Sequence, residues 1–398
     1  MIIRDVIYGK FELPDFLHDL VVTPEFRRLS EVRLLNINSP TLAALADTSR
    51  YSHTLGVLYL ALKNGAPTLS EDEYRAFLSA LVVHDAGTPA FAHLFEYMLL
   101  DRFGWDHESV VPSLLSAQHH PDGAAHQIYS SQIPRFEKVC SSVGVNFELV
   151  LAMLKGVHPA SRLIFGSLDF DNLDNVARMN WMLGNRFDIG SLTSLASAIG
   201  IGSGAKVELP HAQRSNLELW ANLRRNAYEV LIFDGPTVAG QAVLSKAITD
   251  ALDDQTLSNL DWVYTDSNLI DAIRKGSRDG KRRLDQDFFG QLPSTLLLLH
   301  VTDPAHKLHS LAREELAKHV EEYLGTKLSV TRPYGYVFRD RGAFSKLIEA
   351  IDPTNGSPWS FGEKSNSLVI YGFGNRQASS PPAQLGSDFE SWILKKVA

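Results

Sequence analysis

With 398 residues, 44% of them hydrophobic, the chain has apolar material for one large core plus an appendage, because single cores stop growing near roughly 250–300 residues. Its 38 basic and 46 acidic residues leave a formal net charge of −8, which excludes a surface built throughout to grip nucleic acid and leaves only a local basic pocket for that purpose. The single cysteine, Cys140, excludes an intrachain disulfide and reads as a small buried apolar residue in a reducing compartment.

Met1 to Lys10 carries Arg4, Asp5 and Lys10 and lacks the continuous apolar stretch of a signal peptide. No apolar run approaches the roughly 20 residues that cross a bilayer, so the chain reads as a soluble cytoplasmic protein with no membrane partner. His18-Asp19 follows Pro14 in a poor helical context and is taken as structural. The spacing of Leu55, Leu58 and Leu62 predicts a helix over 50–62 with His53 in or just before its first turn. Ser70-Glu71-Asp72-Glu73 has the form of a capping box, and the apolar run Ala76–Val83 follows it. This predicts a buried helix that ends near Gly87 and Pro89 and delivers His84 and Asp85 at its C-terminal end. A third helix is predicted over 90–102, with His93 and Glu96 on one face.

Between Gly104 and Pro134, His107, His119, His120 and His126 lie among Pro, Ser and Gly residues, read as helix mixed with loops, with His119-His120 a solvated pair. A further helix is predicted over 169–183, with Asp171 and Asp174 near its start, where acidic residues suit the helix dipole. Gly200-Ile201-Gly202-Ser203-Gly204-Ala205-Lys206 is read as a flexible connection, matching neither a phosphate-binding loop nor a dinucleotide fingerprint. The basic run Arg274–Arg283 is read as a solvated loop. From about Pro293 the texture changes: a buried strand over 296–301, an amphipathic helix over 306–324, a strand pair over 327–339, an exposed loop around Ser379-Ser380-Pro381-Pro382 and a short helix over 389–396. The expected fold is therefore mostly α, a helical domain over 1–290 followed by a small α+β region over 291–398.

Chemistry concentrates in four strings: Arg50-Tyr51-Ser52-His53-Thr54-Leu55-Gly56-Val57, His84-Asp85 with His93 and Glu96 downstream, Trp105-Asp106-His107-Glu108, and Asp169 through Arg178. Two imidazoles and two carboxylates from His53, His84, Asp85 and Asp171 form a mixed nitrogen and oxygen set. Such a set suits Fe, Mn, Co, Ni or Zn and, less well, Mg. Any one of these residues alone is more often packed or solvated than a ligand, and Asp169 or Asp174 could stand in for Asp171.

The strings and their order resemble the HD phosphohydrolase superfamily, in particular its deoxynucleoside triphosphate triphosphohydrolase branch. Arg-Tyr-Ser-His-Thr-Leu-Gly-Val resembles that branch's Arg-Phe-x-His-Ser-Leu-Gly-Val, and His-Asp-Ala-Gly-Thr-Pro-Ala-Phe-Ala-His-Leu-Phe-Glu its His-Asp-x-Gly-His-x-Pro-Phe-x-His-x-Phe-Asp. The resemblance spans about residues 25–185 and implies His53, His84, Asp85 and Asp171 as metal ligands and His93 with Glu96 as the acid/base pair. It further implies His107, Thr88, Arg50 and Arg178 as phosphate contacts, with Arg224 or Arg225 as a further charge, and Asp85 near the reacting water. The implied reaction is metal-dependent hydrolysis of a nucleotide substrate, a dNTP, to nucleoside and triphosphate through a metal-activated water at the α-phosphorus, by a homo-oligomer. Thr88, Val230 and Asn175 depart from the branch's histidines and tyrosine. They keep open a phosphohydrolase or phosphodiesterase acting on a nucleoside monophosphate, cyclic nucleotide or oligonucleotide end, or a non-catalytic nucleotide-binding regulatory subunit.

Overall fold

The computed structural model describes residues 1–36, 40–115, 134–340, 342–375 and 381–396; His119, His120, His126, Ser379 and Ser380 lie outside them. An N-terminal antiparallel hairpin, β1 (Ile2–Asp5) and β2 (Gly9–Glu12), leads into short helical turns. His18 lies in one of these turns and is bonded to the Leu13 carbonyl at 3.0 Å, in keeping with its structural reading. Helix α1 (Arg50–Asn64) starts where the Ser49 hydroxyl accepts the Ser52 N–H and stops at Gly65, whose left-handed φ of 69° a side chain would resist. Helix α2 (Glu71–Val83) carries the expected capping box: Ser70 Oγ accepts from the Glu73 N–H at 3.4 Å, and Glu73 Oε2 accepts from the Ser70 N–H at 2.8 Å.

Helix α3 (His93–Phe103) starts three residues after the predicted position, because Phe91 and Ala92 adopt φ of 54° and 52° and break the helical path. Asp266 accepts the Phe91 N–H at 2.8 Å and holds that kink from far along the chain. Then come α4 (His107–Leu115), α5 (Phe136–Ser142), α6 (Phe147–Leu154) and α7 (Phe170–Met182), the last capped by Asp169, which accepts the Asn172 N–H at 2.6 Å. Helices α8 (Ile189–Ala198), α9 (Arg214–Phe233), α10 (Gly235–Asp253), α11 (Asp266–Gly276) and α12 (Arg278–Arg283) complete the helical body. The basic run 274–283 is thus helical, not a loop. Its charges are compensated by Arg274 Nε to Asp285 at 2.9 Å, Lys281 Nζ to Asp285 at 2.5 Å and Arg283 Nε to Asp250 at 2.6 Å.

The C-terminal part places β5 (Ser294–Val301), α13 (Arg313–Leu328), β6 (Tyr334–Arg339), β7 (Ile348–Ile351), β8 (Pro358–Phe361), β9 (Leu368–Gly374) and α14 (Pro382–Lys396) in order. Strand β9 lies between β5 and β6, antiparallel to both, and all seven of its residues are buried. One sheet face rests on the helical body, to which Tyr371 OH (to the Ile232 carbonyl, 2.9 Å) and Tyr336 OH (to Gln241, 2.7 Å) are bonded. The other face is covered by α13 and α14 around Leu316, Val320, Phe389 and Ile393. The helix expected at 306–324 instead spans 313–328. The strand pair expected over 327–339 is a single strand whose partner is β9, because Ser329 at φ 55° turns the chain back after α13.

The Gly200–Lys206 connection also differs from the expectation. Strands β3 (Gly200–Ile201) and β4 (Val207–Glu208) pair antiparallel around it, and β4 pairs parallel with β7 at Glu208–Ile351. The fold is mostly α with a small α+β C-terminal part, as the sequence implied. Among the described residues no helix is long and apolar enough to cross a membrane.

Candidate metal centre

Three helices converge on one buried point. His53 comes from the first turn of α1, His84 from the C-terminal end of α2 and Asp171 from the first turn of α7, and one ligand atom from each lies within 4.8 Å of the other two. His84 caps the C-terminal end of α2, where the chain is about to turn, and its imidazole faces His53 of α1 and Asp171 of α7. His84 Nδ1–H donates to the Leu81 carbonyl at 2.8 Å, which leaves Nε2 directed into the cluster. That nitrogen is buried, stands 3.9 Å from Asp171 Oδ1 and has no hydrogen-bond partner. A buried, unpaired imidazole nitrogen beside a second imidazole and a carboxylate is the donor set a divalent transition ion takes, so these residues fit the implied metal.

His53 is held from both sides. Asp174 Oδ2 accepts from Nδ1–H at 2.7 Å, and Nε2 meets Asp171 Oδ1 at 2.7 Å. Burial alone would lower the His53 imidazole, but its bonds to Asp171 and Asp174 outweigh this and raise it to about 9. Burial would likewise raise Asp171, yet the two histidines hold it well below the usual carboxylate range. An acidic partner behind a ligating imidazole fixes its tautomer and orientation, which is how metal-binding histidines are commonly supported.

Arg178 sits behind Asp174. Read from the sequence as a phosphate contact, it is instead fully buried: its Nε donates to Asp174 at 2.9 Å and its Nη2 to Asp174 at 3.1 Å and Asp5 at 3.0 Å. It reaches the site only through Asp174 and His53. Arg50 departs from expectation in the same way, being buried with its Nη1 bonded to Asp85 Oδ2 at 2.6 Å. Burial would raise the Asp85 carboxyl, but the Arg50 guanidinium holds it far below its ordinary value. Asp85 lies at the edge of the cluster, Oδ2 3.7 Å from His84 Nε2, and its carboxylate is turned toward Arg50 and not into the three-residue set. Thr88, expected at the substrate, is buried and donates through Oγ1 to Asp85 Oδ1 at 3.2 Å.

A second constellation adjoins the first. Glu96 accepts from His93 Nδ1–H at 2.7 Å through Oε2, and its Oε1 accepts a short bond from His107 Nδ1–H. Burial would raise Glu96, and the two histidines hold it below its ordinary value. The His93 side chain is 54% exposed, while that of His107 is 16% exposed. Burial would lower the His107 imidazole, but its bond to Glu96, and after it the charge of Asp85, raise it. Of the sequence candidates, His53, His84 and Asp171 are brought into one cluster, Asp85 and Arg50 line its edge, and His93, Glu96 and His107 form one linked triad beside it.

Some residues had little or no sequence signal. Arg28 is buried and donates to the carbonyls of Ala86 at 3.0 Å and Thr88 at 2.5 Å, clamping the turn after His84-Asp85. Asp174 had one: it lies three residues after Asp171, on the same helical face, and four before Arg178, the spacing of an ion pair. Arg224 was considered for phosphate but is occupied, bonding Asn172 Oδ1 at 3.2 Å and the Gly342 carbonyl at 2.9 Å.

A helical scaffold thus brings His53, His84 and Asp171 together with Asp85 at the edge, the set of residues that the resemblance implied. The whole fold matches a hypothetical protein from Aquifex aeolicus, with a TM-score of 0.62 at 15% identity over 99% of each chain. It also matches a phosphohydrolase from Bacteroides thetaiotaomicron, with a TM-score of 0.56 at 15% identity over 93% of this chain and 99% of that one.

Among sequences, the chain is 35% identical over 103 residues to the deoxynucleoside triphosphate triphosphohydrolase SAMHD1 homolog of Dictyostelium discoideum (24% of this chain, 20% of that protein). It is 33% identical over 119 residues to the deoxynucleoside triphosphate triphosphohydrolase SAMHD1 of Homo sapiens (27% and 19%) and 26% identical over 184 residues to the uncharacterized protein YwfO of Bacillus subtilis (44% and 39%). The chain thus spans between 19% and 39% of the length of these relatives. No family model matches it. The resemblance read from short strings thus extends to stretches of 103 to 184 residues: over them the chain is similar to proteins named deoxynucleoside triphosphate triphosphohydrolases and to YwfO.

Proposed function

We propose that this chain is a metal-dependent phosphohydrolase that converts nucleoside triphosphates, dNTPs in the first place, to nucleoside and triphosphate by attack of water at the α-phosphorus. The observation that carries the reading is the unpaired, buried Nε2 of His84 facing His53 and Asp171. A divalent ion held there supplies Lewis-acid activation of water and phosphate. His53 and His84 are oriented for this by Asp174 and the Leu81 carbonyl, which leave each Nε2 turned to the cluster. Asp85, with Arg50 as counter-charge, stands at the edge where it can complete the ligand set or accept a proton from the water. His93, its Nδ1 tied to Glu96, keeps Nε2 for handing a proton to the departing ribose oxygen. His107, on the same Glu96, is placed for phosphate.

The test is product identification. Protein loaded in turn with Mn²⁺, Fe²⁺, Co²⁺, Ni²⁺, Zn²⁺ and Mg²⁺ is incubated with a panel of dNTPs and NTPs, and equimolar nucleoside and triphosphate is the expected result. No nucleoside from any combination refutes the reading. A second reading, hydrolysis of a nucleoside monophosphate, is favoured by the commitment of Arg50 and Thr88 to Asp85, which leaves fewer contacts for a long polyphosphate. Release of inorganic phosphate from monophosphates, with triphosphates inert, would select it.

A further inference from the structure

The turn that launches His93 is bent in a way its residues resist. Phe91 and Ala92 stand at φ of 54° and 52°, Ala92 with a ψ of −132°, a backbone region that residues other than glycine rarely adopt. Such a conformation persists only where the surrounding structure holds it. Within the turn, the Ala92 N–H reaches the Pro89 carbonyl at 3.0 Å and the Leu94 N–H reaches the Phe91 carbonyl at 3.2 Å. The Phe91 N–H itself is held from outside, by Asp266 Oδ1 at 2.8 Å. Asp266 is buried, and its other oxygen serves a second element: Oδ2 accepts the Arg33 N–H at 3.1 Å, with Arg33 Nε 3.6 Å away as counter-charge. Arg33 is paired with Ser49, the residue that caps α1, through the Leu34 N–H to the Thr48 carbonyl at 2.8 Å and the Arg50 N–H to the Val32 carbonyl at 2.9 Å. His53 follows on the first turn of that helix. One carboxylate therefore ties the start of the helix that carries His53 to the start of the helix that carries His93. Arg28 makes a parallel link, joining the carbonyls of Val263 and Tyr264, just before Asp266, to those of Ala86 and Thr88, just after Asp85.

We propose that Asp266 is a positioning residue for His93: by fixing the strained turn against the start of α1, it sets where the His93 imidazole stands relative to the metal cluster. The assignment rests on the hydrolase reading above, in which His93 hands a proton to the departing oxygen. The His93 side chain is more than half exposed, so packing does little to place it, and its position is inherited from the backbone that launches α3. Its bond to Glu96 lies within α3 and moves with that helix, so it sets the rotation of the ring and not its distance from His53, His84 and Asp171. Without the Asp266 bond the Phe91–Ala92 turn is free to relax toward negative φ, which would re-aim the first residue of α3 before any other. A displacement of about 1 Å at a proton donor is enough to cost about 100-fold in rate.

The test compares the full-length wild-type protein with Asp266→Asn, His93→Ala and the double variant, with metal content measured for each. Asparagine keeps the size of the side chain but sets an amide N–H donor against one of the two backbone N–H groups. For Asp266→Asn the expectation is a kcat lowered about 10- to 100-fold on the most active dNTP, with KM within about twofold of wild type and metal content unchanged. In the His93→Ala background the same substitution should lower kcat no further, because Asp266 acts through an imidazole already removed. Hydrogen exchange over residues 89–94, followed by mass spectrometry, should quicken in Asp266→Asn whether or not the protein turns over. Should Asp266→Asn fail to fold, the same comparison is made in an Ala92→Gly background, where glycine takes the turn without strain. An unchanged kcat, a loss as large in the His93→Ala background as in wild type, or loss of metal overturns the assignment, the last by making Asp266 a support of the metal cluster. Unchanged exchange over 89–94 overturns it whatever the activity. If wild-type protein releases no nucleoside but exchange quickens in Asp266→Asn, the hydrolase reading fails and the hold of Asp266 on the His93 turn stands.

Discussion

Gly56, in the middle of α1, is the position where one added methyl group tests the support behind the metal cluster. At an ordinary helical site glycine is about 1 kcal/mol worse than alanine, so Gly56→Ala would be stabilising if the helix alone mattered. A Cβ on Gly56, however, would lie 1.9 Å from Asp174 Oδ1 and 2.4 Å from Arg178 Nη2, and both side chains are fully buried with nowhere to retreat. If Asp174 is pushed from His53 and Arg178, a buried ion pair is broken, at a cost of about 3–5 kcal/mol. Less the helix gain of about 1 kcal/mol, Gly56→Ala is expected to lose roughly 2–4 kcal/mol of stability. Because His53 loses its orienting partner, metal affinity should also fall about 10- to 100-fold. Urea unfolding of metal-free protein reads the first effect and competition with a chromogenic chelator the second. A variant as stable as wild type, with unchanged metal affinity, would show that the Asp174–Arg178 pair does not brace the site against α1.

Removing a ligand separates metal binding from folding: His84→Ala and Asp171→Ala are each expected to abolish stoichiometric metal in elemental analysis and to lower turnover at least 1,000-fold, on the order of 4 kcal/mol. The metal-free melting temperature of His84→Ala should stay within a few degrees of wild type, while Asp171→Ala, which takes a partner from the His53 imidazolium, should melt lower. The raised His53 imidazole sets a pH dependence. Below about 9 the metal-free site holds a proton that the ion must displace, so metal affinity should climb about tenfold per pH unit through neutrality and level off above about 9. In metal-free protein the same imidazolium contacts stabilise the fold below its ordinary value near 6.5, and that contribution fades as the pH rises through about 9. A flat affinity profile in chelator titrations would contradict both. Cys140 is buried and its thiol is pushed up to about 12 by burial, with Glu137 adding to it, so native protein should not react with a thiol reagent at about pH 8 until it is unfolded.

The helices that carry His53, His84 and Asp171 could be picked out from the sequence because each is signalled locally, while the choice of these residues as candidate ligands came from the resemblance. Ser70 and Glu73 cap α2, its apolar run carries on to Val83, and Gly87 and Pro89 end the helical pattern just where His84 must turn. Leucine spacing placed His53 in or just before the first turn of α1, and an acidic helix start placed Asp171 and Asp174. These signals act within a few residues, through capping bonds and the 3.6-residue period, and need no partner from elsewhere. Which cations are free for substrate was decided only by tertiary packing. Arg50 and Arg178 read as phosphate contacts because a sequence shows charge without its neighbour, and the fold commits them to Asp85, Asp174 and Asp5. The pairing of β4 with β7 and the bond of Arg224 to the Gly342 carbonyl depend on contacts between segments more than 100 residues apart. Such contacts are chosen by the burial and hydrogen bonding of the whole chain at once, and no local pattern in either segment carries them.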